Sequence, residues 1–337
     1  MPTVGVTYSE THPVQTELIE ETIPDFDIKP VELAAGPLEG DEELLEVAEE
    51  LDAIVLRPGS ITRRLLEKAS NLEHVAVHGS GYGRVDLEAA TEHGVVVTHN
   101  PGGPGPAVAE HALGMMLSLL RDFTGVVERT RDGEWNTARR MNTELDQLTV
   151  GVIGLGIIGF DVAQRVSNAF DSRVLGYDPY VMGQRDSLIY PRISAEEAQA
   201  AGVELTEFED LLDESDVVTI HTPLTDDTRH IMGEEEFDRL TDSYFVNTAR
   251  GGVVDEPALI RAVEEDKLAG VALDVLDTEP PSSDNPLLRS PDVMVTPHTA
   301  GVSNGYLDRA AVLSAEKVEE VLQDGQPGTT LNPEVFE

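Results

Sequence analysis

A glycine-rich turn lies between a predicted strand and a predicted helix, and it limits the possible folds of this sequence more than any other feature. The strand covers Thr149–Ile153, the glycines Gly154, Gly156 and Gly159 follow in the spacing G-x-G-x-x-G, and a helical pattern continues over Phe160–Phe170. In such a turn the first glycine allows the tight bend, the second lets a ligand approach the backbone, and the third lets helix and strand pack closely. The pattern predicts a parallel α/β sheet with a dinucleotide phosphate at the helix N-terminus.

An acidic residue follows the next predicted strand. The strand Arg173–Tyr177 ends at Asp178, close to the distance of about 20 residues from the glycines at which an acid accepts a hydrogen bond from the ribose 2′-hydroxyl. The carboxylate would repel a 2′-phosphate, and no Arg or Lys follows before Arg185. We therefore expect NAD rather than NADP. Ile157 and Ile158 lack polar side chains, so their backbone must contact the pyrophosphate.

Strand and helix patterns alternate along the rest of the chain. Ala53–Leu56 and His74–Val77 are short apolar runs separated by a helical pattern, which predicts a parallel sheet covered on both faces. Residues 107–121, after a Gly- and Pro-rich segment, are apolar nearly all round, as in a buried helix. The amphipathic helix Tyr306–Leu322 has few places to pack in a completed nucleotide domain, so we expect it to return to the first domain.

Two domains are therefore predicted for the 337 residues, in line with about 100–200 residues per domain. The expected substrate domain is discontinuous and comprises residues 1–100 plus 300–337. Residues 101–299 form the expected nucleotide-binding domain, inserted between the two parts.

Acidic residues greatly outnumber basic ones, with 64 Asp and Glu against 23 Lys and Arg and a formal net charge of −41. Such a surface repels nucleic acids and anionic membranes, so neither is expected as a partner. The scarcity of lysine favours a salt-adapted, halophilic protein. A merely acidic protein, or one with a basic partner, is the alternative. The chain has no cysteine, no basic leader and no long apolar run, which predicts a soluble cytoplasmic protein.

Ionisable residues follow several later strands. Arg250, Asp274 and His298 each come just after a predicted strand, and Glu279 lies five residues beyond Asp274. Because ligands bind at the carboxyl ends of parallel strands, we expect these side chains to share one edge of the sheet. No H-E-x-x-H spacing occurs, so no metal site is expected.

These motifs resemble the D-isomer specific 2-hydroxyacid dehydrogenase family, which includes phosphoglycerate dehydrogenases and glyoxylate/hydroxypyruvate reductases. The resemblance covers essentially the whole chain and adds Val108–His111 and the closing Leu331–Val335. It implies an α/β fold of two doubly wound parallel-sheet domains, with a Rossmann NAD-binding domain inserted into a split flavodoxin-like substrate domain. It also implies hydride transfer between NAD(H) and C2 of a small D-2-hydroxy or 2-oxo acid: hydroxypyruvate, glyoxylate or 3-phosphoglycerate.

The resemblance assigns three catalytic residues. Arg250 would hold the substrate carboxylate, His298 would be the general acid in reduction and the base in oxidation, and Glu279 would orient His298. Each has a structural alternative as an ion-pair or loop residue. Asp274 would bind the nicotinamide carboxamide, or else be a turn or cap residue. The implied cofactor-binding residues are Gly154, Gly156, Ile157, Ile158, Gly159, Asp178, His221, Thr222, Pro223, Thr248, Ala249, Asp274 and Gly301.

The loop after the strand His74–Val77 resembles the family's substrate loop. Backbone N–H groups of Ser80 and Gly81 would bind the substrate carboxylate, with the residues from Val77 to Gly79, including His78, lining the site.

The chain departs from the family near this loop. It has Gly83-Arg84 where the family usually has Asp-Asn, and Pro104 where the family usually has Asn. Because of these differences, the resemblance does not determine which 2-oxo acid is the substrate. Arg57 and Arg84 could bind a second anionic group, as a phosphohydroxy acid requires. Alternatively they pair with neighbouring acids.

A second class of function is a binding protein, because the family also includes corepressors that sense NADH. The complete set of Arg250, Glu279 and His298 favours an enzyme. In the family the helix corresponding to residues 107–121 forms a twofold interface, so a homodimer is expected; the alternative is a helix buried within its own chain. His111 on that helix is interpreted as buried rather than catalytic.

The charge predicts that the melting temperature rises with KCl concentration. Added salt shortens the Debye length from about 10 Å at 0.1 M to about 3 Å at 1 M, which weakens repulsion among the carboxylates. Thermal melts in a KCl series measure this effect. A melting temperature that is flat or falls with salt contradicts the halophilic interpretation.

Overall fold

The structure is a computed structural model that describes residues 1–10, 12–33, 41–100, 102–135, 142–185, 193–325, 327 and 330–336. The chain forms two compact units. The first unit contains Met1–Pro104 and Val302–Glu337, and the second contains Gly105–Gly301.

The first unit is built on a five-stranded parallel sheet. Its strands are β1 (Thr3–Tyr8), β2 (Asp27–Glu32), β3 (Ala53–Leu56), β4 (His74–Val77) and β5 (Val96–His99), and its first helices are α1 (Thr16–Thr22), α2 (Asp41–Val47), α3 (Arg63–Lys68) and α4 (Leu87–Glu92). The strand order is β2-β1-β3-β4-β5, which is the flavodoxin-like order. Every residue of β3 and β4 is buried, as in a sheet covered on both faces.

The second unit is built on a seven-stranded parallel sheet. Its strands are β6 (Thr149–Ile153), β7 (Arg173–Tyr177), β8 (Val203–Leu205), β9 (Val217–Ile220), β10 (Tyr244–Asn247), β11 (Gly270–Leu273) and β12 (Val293–Val295). Its helices are α5 (Gly105–Leu120), α6 (Phe123–Arg131), α7 (Ile157–Phe170), α8 (Ala195–Ala200), α9 (Phe208–Glu214), α10 (Glu234–Arg239) and α11 (Glu256–Glu264). The order β12-β11-β10-β9-β6-β7-β8 contains the Rossmann arrangement, with its switch point between β6 and β9. The predicted fold class is therefore confirmed.

The last helix, α12 (Asn304–Asp324), belongs to the first unit, where it packs on α1 and on β3, β4 and β5. It starts at Ser303, whose side chain accepts a hydrogen bond from the Tyr306 N–H, and stops at Gly325 with φ of 81°. Ala311, Ala315 and Val318 are fully buried. The small alanines allow the helix to approach the sheet closely.

Two edge strands show no alternation of apolar and polar residues in the sequence. The strand β2 reads DIKPVE and has one buried residue, while β8 has only three residues. Each lies at the edge of its sheet, where one side of the strand needs no hydrogen-bond partner and charged or proline residues are tolerated. The missing apolar alternation follows from this edge position.

The core of the second unit contains an aromatic pair, Phe237 of α10 and Phe245 of β10, whose ring centroids lie 5.4 Å apart in an edge-on arrangement. Both are at most 1% exposed. We expect Phe245→Ala to lower the free energy of unfolding by about 3–5 kcal/mol, because it leaves a cavity that the sheet cannot close. Phe245→Leu should lower the free energy of unfolding by a clearly smaller amount. Urea denaturation measures both, and a loss below about 1 kcal/mol for the alanine variant contradicts the packing described.

Candidate active site

The glycine turn after β6 has the shape of a phosphate cradle. Gly154 has φ of +88°, and a Cβ at Gly159 would lie 1.9 Å from the Gly154 carbonyl oxygen, so neither position accepts a side chain. Gly156 precedes α7, has open space where a Cβ would stand, and makes no side-chain cap. The first turn of α7 therefore keeps backbone N–H groups available for an anion.

Unpartnered polar atoms lie buried beside this turn. The Nδ1 of His221 and the Oγ1 of Thr222 follow β9, the Oγ1 of Thr248 follows β10, and none of these three atoms has a hydrogen-bond partner in the structure. The His221 Nε2 is 2.9 Å from the Thr219 Oγ1, and burial lowers the pKa of His221 to about 3, so the ring is neutral. Buried polar groups are normally paired, so these orphans indicate a polar ligand.

Asp178 connects the end of β7 to the glycine turn. Its Oδ2 accepts from the Leu155 N–H at 2.9 Å and its Oδ1 from the Tyr180 N–H at 2.9 Å. Carboxylate oxygens can accept further hydrogen bonds, so a ribose hydroxyl still fits. Arg185 is engaged elsewhere, because its Nη1 lies 2.6 Å from the Asp227 Oδ2. The glycine turn, the orphan atoms and Asp178 together fit a dinucleotide.

His298 and Glu279 form a close pair. The His298 Nδ1 lies 2.7 Å from the Glu279 Oε2, and the Leu276 N–H donates to the Glu279 Oε1 at 3.1 Å. Partial burial acts to raise the pKa of Glu279, but the hydrogen bond and charge of His298, the Leu276 N–H and the charge of Arg250 outweigh it, and the pKa is lowered. Glu279 is thus held as a carboxylate.

The backbone around His298 is anchored on Asp274, whose side chain is 1% exposed. The Asp274 carbonyl accepts from the His298 N–H at 2.8 Å, and its carboxylate accepts from the N–H groups of Thr299 at 2.9 Å and Ala300 at 2.8 Å. His298 itself has φ of 52°, a left-handed conformation that side chains rarely adopt. Such strain needs a firm surrounding structure, and Asp274 provides it. Gly301 is the last residue of the second unit.

Arg250 is exposed just after β10 and beside the same loop. Its Nη1 donates to the Ala249 carbonyl at 2.6 Å, and within the described ranges no carboxylate lies at ion-pair distance from it. Its positive charge nevertheless lowers the pKa of Glu279. A Cβ at Gly251 would lie 2.0 Å from the Leu276 carbonyl oxygen, so this glycine lets the Arg250 and Glu279 segments meet. The sequence reasoning missed this role of Gly251.

The first unit contains a cluster of three side chains around the guanidinium of Arg57. The Arg57 Nη1 lies 3.2 Å from the His78 Nδ1, the Tyr306 hydroxyl donates to the His78 carbonyl at 3.2 Å, and the guanidinium lies 5.7 Å from the Tyr306 ring centroid. Burial and the charge of Arg57 lower the pKa of His78 to about 3. The buried Nε of Arg57 and Nε2 of His78 have no partner in the structure. The sequence predicts Arg57 as an anion-binding residue and His78 as part of the substrate loop, but assigns Tyr306 no role in a site.

The predicted substrate loop follows β4 in the same unit. Val77 is the buried last residue of β4, Gly79 and Ser80 are partly buried, and Gly81 is exposed. The Ser80 carbonyl lies 3.0 Å from the His99 Nδ1, which holds the loop on β5.

Arg84 is exposed, and neither Arg84 nor Arg57 forms an ion pair with any carboxylate that the structure describes. The predicted alternative, pairing with neighbouring acids, is thus not what the described residues show.

The described residues contain neither a candidate metal site nor a candidate membrane-spanning helix. No cluster of His, Cys, Asp or Glu there could hold a metal ion. No helix there is both long and apolar enough to cross a membrane.

Comparisons with known proteins identify the family to which the chain belongs. The family model described as "D-isomer specific 2-hydroxyacid dehydrogenase, NAD binding domain" matches residues 113–300. The D-3-phosphoglycerate dehydrogenase of Archaeoglobus fulgidus is 38% identical over 279 residues, which are 82% of this chain and 50% of that protein. The glyoxylate reductase of Thermofilum pendens is 34% identical over 301 residues, 88% of this chain and 85% of that protein. The chain spans about half the length of the phosphoglycerate dehydrogenases that it matches.

Solved structures show the same fold. A D-lactate dehydrogenase from Aquifex aeolicus, complexed with NAD and lactic acid, is 28% identical and superposes with a TM-score of 0.77 over 97% of this chain and 98% of that chain. The chain therefore belongs to the D-isomer specific 2-hydroxyacid dehydrogenase family, and its second unit contains the NAD-binding domain of that family.

Proposed function

We propose that this protein is an NAD-dependent dehydrogenase that interconverts a small 2-oxo acid and its D-2-hydroxy acid. The observation that carries the proposal is the His298–Glu279 pair, 2.7 Å apart, beside the unpaired guanidinium of Arg250. A proton-transfer group and a carboxylate-binding cation are the two side-chain functions that this reduction needs. They lie in the unit with the glycine turn and the orphan polar atoms.

The chemistry follows from these side chains. Bound NADH supplies a hydride to C2 of the substrate, and the substrate oxygen then needs a proton. Glu279 occupies the Nδ1 of His298, which leaves Nε2 as the nitrogen for proton transfer. The Arg250 guanidinium has further N–H donors besides the one given to Ala249, and a planar carboxylate can accept two of them.

The first unit supports a preference for a substrate with a second anionic group. Arg57 is partly buried and has no carboxylate partner among the described residues, although the chain contains 64 acidic residues. A sequestered guanidinium without a counter-ion favours an anionic ligand. We therefore propose Arg57 as an anion-binding residue and Arg84 as an exposed second contributor. We retain Val77, Gly79, Ser80 and Gly81 as proposed substrate-binding residues.

A homodimer and salt adaptation also belong to the proposal. Helix α6 exposes Phe123, Val126 and Val127, which are 53%, 41% and 45% exposed and lie at positions i, i+3 and i+4. An apolar stripe of this kind on a surface helix favours a protein partner. The net charge of −41 supports a protein that works in concentrated salt.

His298→Ala should reduce kcat by about 10²–10⁴-fold, because the proton transfer loses its donor. NADH affinity, measured by the quenching of protein fluorescence in concentrated KCl, should stay within about twofold, since the cofactor-binding residues are unchanged. His230→Ala, at an exposed histidine after β9, is the matched control and should retain turnover. Retained turnover in His298→Ala removes this residue from the mechanism. A wild type that binds NADH but reduces no 2-oxo acid supports the NADH-sensing alternative.

The lowered pKa of Glu279 gives a pH dependence of stability. A carboxylate with a depressed folded-state pKa stabilises the fold above its unfolded pKa of about 4.3, and this contribution is lost as the pH falls through the folded value. The melting temperature of Glu279→Gln should therefore lie below that of wild type near pH 6, and the gap should shrink on acidification below pH ~4. A difference in melting temperature that widens on acidification contradicts a lowered pKa for Glu279.

Arg57→Gln should lower kcat/KM for phosphohydroxypyruvate by about 10- to 100-fold, the value of a charge-assisted hydrogen bond. Hydroxypyruvate and glyoxylate, which lack the phosphate, should be affected less than about threefold. Arg289→Gln, which changes an exposed arginine after β11, serves as the control for loss of one positive charge. Equal losses on all three substrates contradict a phosphate-binding role for Arg57.

A further inference from the structure

His111 occupies an unusual place in α5. Most of the helix is apolar and contributes Ala109, Ala112 and Met116 to the core of the second unit. The His111 side chain is 27% exposed, and its Nε2 lies 3.1 Å from the Thr296 Oγ1 and 3.6 Å from the Asp274 Oδ1. The proposed mechanism assigns no role to this imidazole.

The hydrogen atoms in this chain of bonds have one consistent arrangement. The Thr296 hydroxyl donates its single hydrogen to the Asp274 Oδ1 at 2.5 Å. It can then only accept from His111, so the proton of the imidazole lies on Nε2. In this series of hydrogen bonds, His111 donates to Thr296 and Thr296 donates to Asp274.

The series ends on the carboxylate that anchors the proposed proton-transfer group. Asp274 accepts from the N–H groups of Thr299 and Ala300, directly after His298, and its carbonyl accepts from the His298 N–H. Among the side chains that the structure describes, His111 is the basic one within ion-pair distance of this buried carboxylate. His298 has φ of 52° and depends on these bonds for its position.

We infer that His111 is a positioning residue for His298, acting through Thr296 and Asp274. This inference rests on the proposed function, in which His298 transfers the proton. His111 fixes the Thr296 hydroxyl and thereby the orientation of the Asp274 carboxylate. That orientation determines where the 298–300 backbone places the His298 ring and its partner Glu279.

Two substitutions at position 111 and one at its neighbour Glu110 separate this role from packing. His111→Leu fills a similar volume and removes the donor, while His111→Gln retains an amide N–H close to the position of Nε2. Glu110→Gln changes an exposed neighbour on α5 that pairs with Arg165, and it is the matched control. Circular dichroism and melting temperature establish that each variant is folded. If His111→Leu does not fold, Thr296→Val against Thr296→Ser removes and restores the same bond.

We expect His111→Leu to lower kcat about tenfold or more, since small misplacement of a catalytic group is costly, while the Kd for NADH stays within twofold. His111→Gln should recover at least half of the lost activity, and Glu110→Gln should match wild type. His111→Leu combined with Thr296→Val should be no slower than the slower single variant, because both break one series of bonds. Unchanged kcat in His111→Leu, a glutamine variant as slow as leucine, or losses that multiply would overturn the inference.

A readout independent of turnover separates this inference from the proposed function. In ¹H–¹³C spectra of protein labelled at its nine histidines, the His298 resonance can be assigned from His298→Gln. It should shift in His111→Leu, stay in place in Glu110→Gln and return in His111→Gln. A His298 resonance unmoved by His111→Leu overturns the positioning role even if the enzyme is active. A shifted resonance in a protein that reduces no 2-oxo acid rejects the proposed function alone.

Discussion

Parallel strand pairing is the constraint on which the site depends. All seven strands of the second sheet run in one direction, so the residues that follow them collect along a single edge. The glycine turn follows β6, Asp178 follows β7, His221 follows β9, Arg250 follows β10 and Asp274 follows β11. Residues widely separated in sequence are thereby brought to one edge, and the switch point between β6 and β9 provides the opening for a ligand.

Arg57 and Arg250 are set apart from most basic side chains of this acidic protein by their surroundings. Many basic side chains, such as Arg173, Arg239 and Lys267, pair with neighbouring carboxylates and are largely exposed. Arg57 and Arg250 do not pair with any described carboxylate. Surface pairs of the first kind contribute little to stability. We propose anion binding for Arg57, which lies against an aromatic ring, and for Arg250, which lies beside the His298–Glu279 pair.

The sequence was sufficient for the fold class because the glycine spacing and the buried β-strands are local signals. Edge strands such as β2 and β8 were not predictable, since they bury too little to show a pattern. The pairing of His298 with Glu279 could be expected from the family resemblance. The left-handed backbone of His298 could not, because the hydrogen bonds to Asp274 that hold this backbone are made only in the folded protein. The contact of His78 with Tyr306 joins residues from opposite ends of the chain and leaves no trace in either local sequence.

Transfer of deuterium from labelled NADH tests whether the protein carries out the proposed hydride transfer. Wild-type protein in concentrated KCl is incubated with NADH deuterated at C4 on either face, together with phosphohydroxypyruvate, hydroxypyruvate or glyoxylate, and the product is analysed by mass spectrometry and chiral chromatography. A dehydrogenase of the proposed kind delivers the label of one of the two deuterated forms to C2 of a D-2-hydroxy acid (for glyoxylate, to C2 of glycolate). Oxidation of NADH with no label at C2 from either deuterated form, or an L-configured product, would contradict the proposed function.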